Sequence, residues 1–226
     1  MSKKRHIRIG RYRIGHFLFL FLSIVLLFAL RPFLEGLVRI SFLTDLFLIF
    51  VLISGVYAIS GENRKVFLIS LVIAGVSMVL QFASYVMDVE ILHLLKRSVG
   101  AVFFAYALVV ILRHILMERE VTGDLIMAAA CAYFLIGIIW AFIFHLLETI
   151  QQGSFAVPVD LRYDFPTFLY FSFVTLASLG YGDITPISPQ AQSLSVLEAV
   201  MGQLFLAVTI ARLVGIHTSQ SQLKEE

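Results

Sequence analysis

The sequence is short of almost everything a water-soluble domain uses. Charged residues fill 14% of its 226 positions, against about 25% in a typical soluble domain. So few charges exclude an ordinary soluble globule and a disordered, highly charged tail alike. Cys131 is the single cysteine, so an intrachain disulfide and a cysteine-based metal site within one chain are excluded. The net charge of +2 is too small for the basic footprint of a nucleic-acid binder. Neither G-x-S-x-G nor H-E-x-x-H occurs, which removes those signals of an intramembrane hydrolase. What is present is apolar: 60% of residues are hydrophobic and mean hydropathy is +0.94. That is more apolar side chain than a core of this size can hide, so much of it must face lipid.

A helix needs about 20 apolar residues to cross the hydrocarbon layer. Six runs qualify as candidates: 17 to about 30, 40–59, 66–87, about 99–116, 125–147 and about 193–216. The first, after a basic start, also resembles a secretory signal. It ends in Leu30-Arg31-Pro32 without a small-x-small cleavage site, so it is read as a retained helix. Basic residues give the orientation. With the amino terminus inside, Lys3, Lys4, Arg5, Arg8, Arg11, Arg13, Arg64, Lys65, Arg113, Arg119, Arg212 and Lys224 are internal; Arg31, Arg39, Lys96, Arg97 and Arg162 are external. The positive-inside rule then predicts both termini cytoplasmic, and the chain is read as a multi-pass protein of the plasma (inner) membrane.

Between the fifth and sixth runs lies a stretch with its own pattern. Residues 166–177 are apolar, and Pro166 suits a first helical turn. Twelve residues of helix reach only about 18 Å, too short to span. Gly180-Tyr-Gly-Asp-Ile-Thr-Pro186 follows and cannot continue a helix. The chain is therefore expected to enter the membrane plane, turn and leave on the same side. Irregular backbone at that depth needs a water-lined path or burial in protein.

Ser178-Leu-Gly-Tyr-Gly-Asp183 resembles the Thr-Val-Gly-Tyr-Gly-Asp signature of tetrameric P-loop potassium channels. Phe173-Val-Thr-Leu-Ala-Ser178 resembles the end of their pore helix. Gly202 with Ala207-Val-Thr-Ile-Ala-Arg212 resembles their inner helix. The likeness covers roughly 125–216; residues 1–124 resemble the six-helix members only in helix number.

The resemblance implies an all-α membrane protein with six transmembrane helices, a re-entrant pore helix (166–177) and a selectivity filter (178–183), assembled as a homotetramer in the lipid bilayer. The pore domain would be 125–216. A charge-poor four-helix peripheral domain would occupy 17–124, with a basic cytoplasmic segment at 1–16 and a short tail at 217–226. K⁺ would be the transported ion, with no organic cofactor and no nucleic-acid partner. Main-chain carbonyls of Ser178, Leu179, Gly180 and Tyr181 would replace its hydration shell, with the Ser178 hydroxyl as an inner ring. Gly180 and Gly182 would supply left-handed backbone without a Cβ clash. Ser178 and Leu179 depart from the usual Thr and Val, but neither change removes a carbonyl.

Supporting roles are read alongside. Asp183 at the outer mouth either accepts a hydrogen bond from Tyr170 or simply faces water. Glu198, an intramembrane carboxyl, is a functional candidate, read first as a hydrogen-bond partner behind the filter. Gly202 is either a bending point or a close-packing site. Leu206, Ile210 and Val214 recur every fourth residue and could close the inner mouth by dewetting. His145 and Glu148, three apart, are read as a hydrogen-bond pair in preference to two metal ligands.

The fourth run argues against a voltage sensor. Lys96 and Arg97 stand together, 98–112 carries no charge, and Arg113 follows, whereas a sensor needs a basic residue at every third position. Asp45 and Asp88 could pair with Lys96 and Arg97. The ten residues after Ile216 are too few for a ligand-binding domain, so the stimulus is expected to act on the membrane part or on a separate regulatory subunit. Two rival readings stay open: a weakly selective cation channel, which typically lacks the Tyr or one Gly, and a non-conducting accessory membrane protein.

Overall fold

The computed structural model describes residues 16–34, 40–59, 64–87 and 89–225. Its elements are α1 (His16–Leu34), α2 (Ile40–Ile59), α3 (Arg64–Val86), α4 (Glu90–Met117), α5 (Gly123–Ile150), β1 (Phe155–Ala156), α6 (Phe165–Leu176), β2 (Thr185–Pro186) and α7 (Pro189–Glu225). Among the described residues, four helical stretches are long and apolar enough to cross a membrane: Arg64–Ser84, Leu94–Met117, Gly123–Ile150 and Pro189–Gln220.

Helix limits follow local chemistry. Thr122 caps α5, its hydroxyl accepting from the Leu125 amide at 3.2 Å. Asp164 caps α6 through the Thr167 amide at 3.1 Å, just ahead of Pro166. Each satisfies an amide that the first helical turn leaves open. Ser188 does the same for α7, accepting from the Ala191 amide at 3.2 Å.

Two expected boundaries are corrected. α4 starts at Glu90, because the apolar residues from Ile91 to Leu95 join the same helix. α7 starts at Pro189, not near 193, and runs on to Glu225. Residues 217–225 therefore continue the helix; hydropathy falls there, but no Gly or Pro interrupts them. The basic segment 1–15 lies outside the described residues, as does the expected pairing through Asp88. The Asp45 side chain is likewise outside them. Arg97 donates to Thr149 Oγ1 on α5 at 3.1 Å.

The helices form two packed groups that share α5. α1 packs on α2 and α5, α3 on α4, and α4 on α5. Buried Phe103, Phe104 and Ile111 of α4 meet Ala128, Cys131 and Leu135 of α5 in one apolar cluster. α6 lies against α5 and α7. Behind it Trp140, Phe144, Phe155, Phe168 and Phe171 form a second cluster. Its phenylalanine rings meet edge-on, as Phe144 does with Phe171 at 5.1 Å, a geometry that aromatic quadrupoles favour.

Candidate functional site

The site is the turn that follows α6, and its first feature is how that helix stops. Ser178 N–H donates to the Thr175 carbonyl at 2.9 Å, and Leu179 N–H to the Val174 carbonyl at 2.8 Å. These are the paired bonds of a Schellman cap, with Ala177 as the capping residue and Ser178 in the left-handed position usually held by glycine. Ser178 has φ +57°, Gly180 +59° and Gly182 +77°. Left-handed residues thus alternate through 178–182. The sequence signalled the two glycines but not Ser178. Its lack of β-branching matters here, since a branched side chain is a genuine outlier at positive φ.

α6 is clamped on both sides by glycines. A Cβ at Gly137 of α5 would come within 2.6 Å of the Phe173 ring. A Cβ at Gly202 of α7 would strike the Leu176 carbonyl oxygen. Four residues earlier on both helices, the Ser172 hydroxyl lies 2.5 Å from Glu198 Oε1. The α6–α7 contact therefore advances by one helical turn on each partner, from 172 and 198 to 176 and 202. Gly202 sits inside unbroken helix, so close packing accounts for its position in this conformation. Gln203 Nε2, the next residue, donates to Ser178 Oγ at 3.1 Å and ties α7 to the start of the turn.

The outer end is braced differently. Tyr170 Oη donates to Asp183 Oδ2 at 2.7 Å. That hydrogen bond, with burial adding to it, pushes the Tyr170 phenol up to about 12. The donor hydrogen therefore stays in place through the neutral range. Beyond Asp183, β2 pairs antiparallel with β1, Phe155 opposite Pro186 and Ala156 opposite Thr185. The Ser154 carbonyl accepts from the Ile187 amide at 2.8 Å.

Glu148 anchors that outer strand pair. Its side-chain oxygens accept from the amides of Gly153 at 2.8 Å, Ser154 at 2.9 Å and Phe155 at 3.2 Å. The expected pairing with His145 is corrected: Glu148 holds the turn after α5, while His145 stacks on Phe168 at 5.5 Å and its Nδ1 has no hydrogen-bond partner. Among the described residues no group of three His, Cys, Asp or Glu could hold a metal. Glu148→Ala strands three buried or half-buried amides and is expected to destabilise the protein by about 3 kcal/mol. Thermal unfolding of the purified protein checks this; an unchanged midpoint would contradict it.

At the other end of α7, Arg212 donates from Nε to the Ile115 carbonyl at 3.1 Å, and from Nη2 to the carbonyls of Leu116 at 2.5 Å and Glu118 at 3.2 Å. A guanidinium there satisfies the free carbonyls and negative dipole end of α4. Sequence reasoning missed this contact, because partners more than 90 residues apart leave no local pattern. Leu206, Ile210 and Val214 of α7 are all exposed on the isolated chain, at 38, 59 and 59%. Residues 177–183 are exposed as well.

A family model described as "Ion channel" matches residues 129–218. The matched stretch starts within α5, contains α6, the turn and both short strands, and ends within α7. No curated protein matches the chain.

Proposed function

We propose that the chain is a multi-pass membrane channel of the potassium-channel superfamily and not an enzyme, and that four copies surround a potassium-selective pore; the match of residues 129–218 to a family model described as "Ion channel" and the four membrane-capable helices among the described residues support this reading. The observation that carries this reading is the alternation of left-handed backbone at Ser178, Gly180 and Gly182. Alternating handedness can turn successive carbonyls the same way, as a ring of oxygens replacing K⁺ hydration requires. Ser178, Leu179, Gly180 and Tyr181 coordinate the ion. Gly182 completes the turn, and Tyr170 with Asp183 fixes its outer end.

The subunit has six spans. α1 and α2, at 19 and 20 residues, reach about 28–30 Å and join the four longer helices. Assembly is supported by what one chain leaves open. Leu197, Val200, Leu204 and Val208 of α7 are exposed beside the exposed turn, and one chain supplies one loop. Leu206, Ile210 and Val214 line the inner mouth, and Gly202 seats α7 closely against Leu176 of α6. The orientation is termini-inside, supported by the distribution of basic residues, and the membrane is the plasma membrane.

Rb⁺ uptake by liposomes containing the purified protein tests the reading. Selective uptake over Na⁺ is expected. No uptake would support the accessory reading, and equal Na⁺ passage the weakly selective one. Conductance is also expected to change little with voltage, since α4 carries no charge from 98 to 112 and each gating charge supplies only about 2.3 kcal/mol per 100 mV. A steep conductance–voltage curve in planar bilayers would overturn that expectation.

A further inference from the structure

Glu198, Ser172 and Gly137 meet where α7, α6 and α5 come together, and their hydrogen atoms can be counted. The Ser172 hydroxyl lies 2.7 Å from the Gly137 carbonyl oxygen and 2.5 Å from Glu198 Oε1. A serine hydroxyl carries one hydrogen, and a backbone carbonyl only accepts. If Glu198 were ionised, Ser172 could serve one of its two neighbours. The other oxygen pair would then face lone pair to lone pair inside the protein. Ser172 and Glu198 are both 0% exposed. Glu198 Oε2 has no hydrogen-bond partner, a heavy cost for a charged oxygen and a lighter one for the carbonyl of a neutral acid. Tyr133, the titratable side chain facing Glu198 from α5, directs its hydroxyl to the Leu176 carbonyl at 3.4 Å.

We infer that Glu198 works as a neutral carboxylic acid whose hydroxyl donates to Ser172, which in turn donates to the Gly137 carbonyl, so that one directed relay pins the helix before the turn between its two flanking helices. Glu198 is thus a positioning residue. It touches no ion and acts through α6. What position 198 must provide is a hydrogen-bond donor without charge. Glutamine meets that need through its amide; alanine does not. The relay sits one turn above the contact of Gly202 with Leu176 and two residues before Val174, whose carbonyl closes the cap at Leu179. A shift of α6 at 172 is therefore carried directly into the turn. The functional part of this inference rests on the channel reading; the protonation of Glu198 does not.

Two measurements on the full-length protein in liposomes test it. The first is the infrared stretch of a protonated carboxyl at neutral pH, compared between wild type and Glu198→Gln. A band present in wild type and lost in the variant is expected, whether or not the protein conducts; no difference between the two spectra would overturn the inference. The second is K⁺ flux per tetramer. Glu198→Gln is expected to keep most of it, while Glu198→Ala and Ser172→Ala lose roughly tenfold. Alanine at 198 conducting as well as glutamine would overturn the positioning role. Wild-type protein that keeps the band but passes no K⁺ would count against the channel reading while leaving Glu198 protonated.

Discussion

Gly182→Ala is expected to abolish most K⁺ flux through the proposed pore while leaving the proposed tetramer intact. The reason is conformational and not steric. A Cβ at 182 meets nothing within 4 Å of its own chain, yet φ there is +77°. An L-residue held left-handed costs about 1–2 kcal/mol, and the ring repeats that cost in every subunit. Alanine would relax toward negative φ and turn one carbonyl per subunit away from its neighbours. One such cost alone corresponds to a fall in flux of roughly five- to thirtyfold. Size-exclusion chromatography reports the assembly and Rb⁺ uptake the conduction. Unchanged uptake would be hard to reconcile with carbonyl coordination, because the backbone handedness is what the substitution attacks.

The second large effect is expected at Gly202. Its added Cβ would strike the Leu176 carbonyl oxygen, with Leu176 Cδ1 at 2.9 Å. A leucine side chain can rotate away; a backbone oxygen at the end of α6 cannot move without moving the turn. Overpacking of this kind costs about 1–3 kcal/mol. Gly202→Val should therefore lower the yield and thermal midpoint of the assembled protein, and Gly202→Ala should do so more mildly. A pure bending role makes a different forecast, namely normal assembly with impaired opening. Measuring the midpoint alongside flux separates the two. A fully stable, non-conducting Gly202→Ala protein would assign the glycine to bending, and a destabilised one to packing.

Much of this was legible in the sequence because it is local. Asp164 and Pro166 flank the start of a helix too short to span, and Gly180-Tyr-Gly182 can only be a turn. Twelve apolar residues followed by that turn limited α6 to within one residue. The hydrogen bond from Tyr170 to Asp183 was one of two readings that the sequence left open, and the structure shows that bond. Other features depend on chain segments that sequence distance hides. Glu148 meets amides presented only once the chain has reversed after α5. Arg212 reaches the end of α4 from more than 90 residues away in the chain. Ser178 carries left-handed backbone because a Schellman cap requires it, although serine itself does not announce it. The extension of α7 to Glu225 was missed because hydropathy was used to end the helix, and polar residues with adequate helix propensity continue it beyond the apolar span.

The two glycine contacts give the site a common logic. Gly137 and Gly202 bring α5 and α7 close to α6, and the Glu198–Ser172–Gly137 relay adds direction to that contact. Glu148 and the β1–β2 pair hold the exit strand, while Gln203 holds the entrance at Ser178. The turn itself is left without a covering side chain of its own subunit, which suits a segment that meets its symmetry mates.

The most direct test of the central claim is the reversal potential of the purified protein in a planar bilayer, with K⁺ on one side and Na⁺ on the other. Selective coordination by the 178–181 carbonyls places the reversal far toward the K⁺ equilibrium potential, and Gly182→Ala removes the current. A reversal near zero would mean that both ions pass alike, and would contradict a pore in which main-chain oxygens replace the hydration of K⁺ in preference to Na⁺.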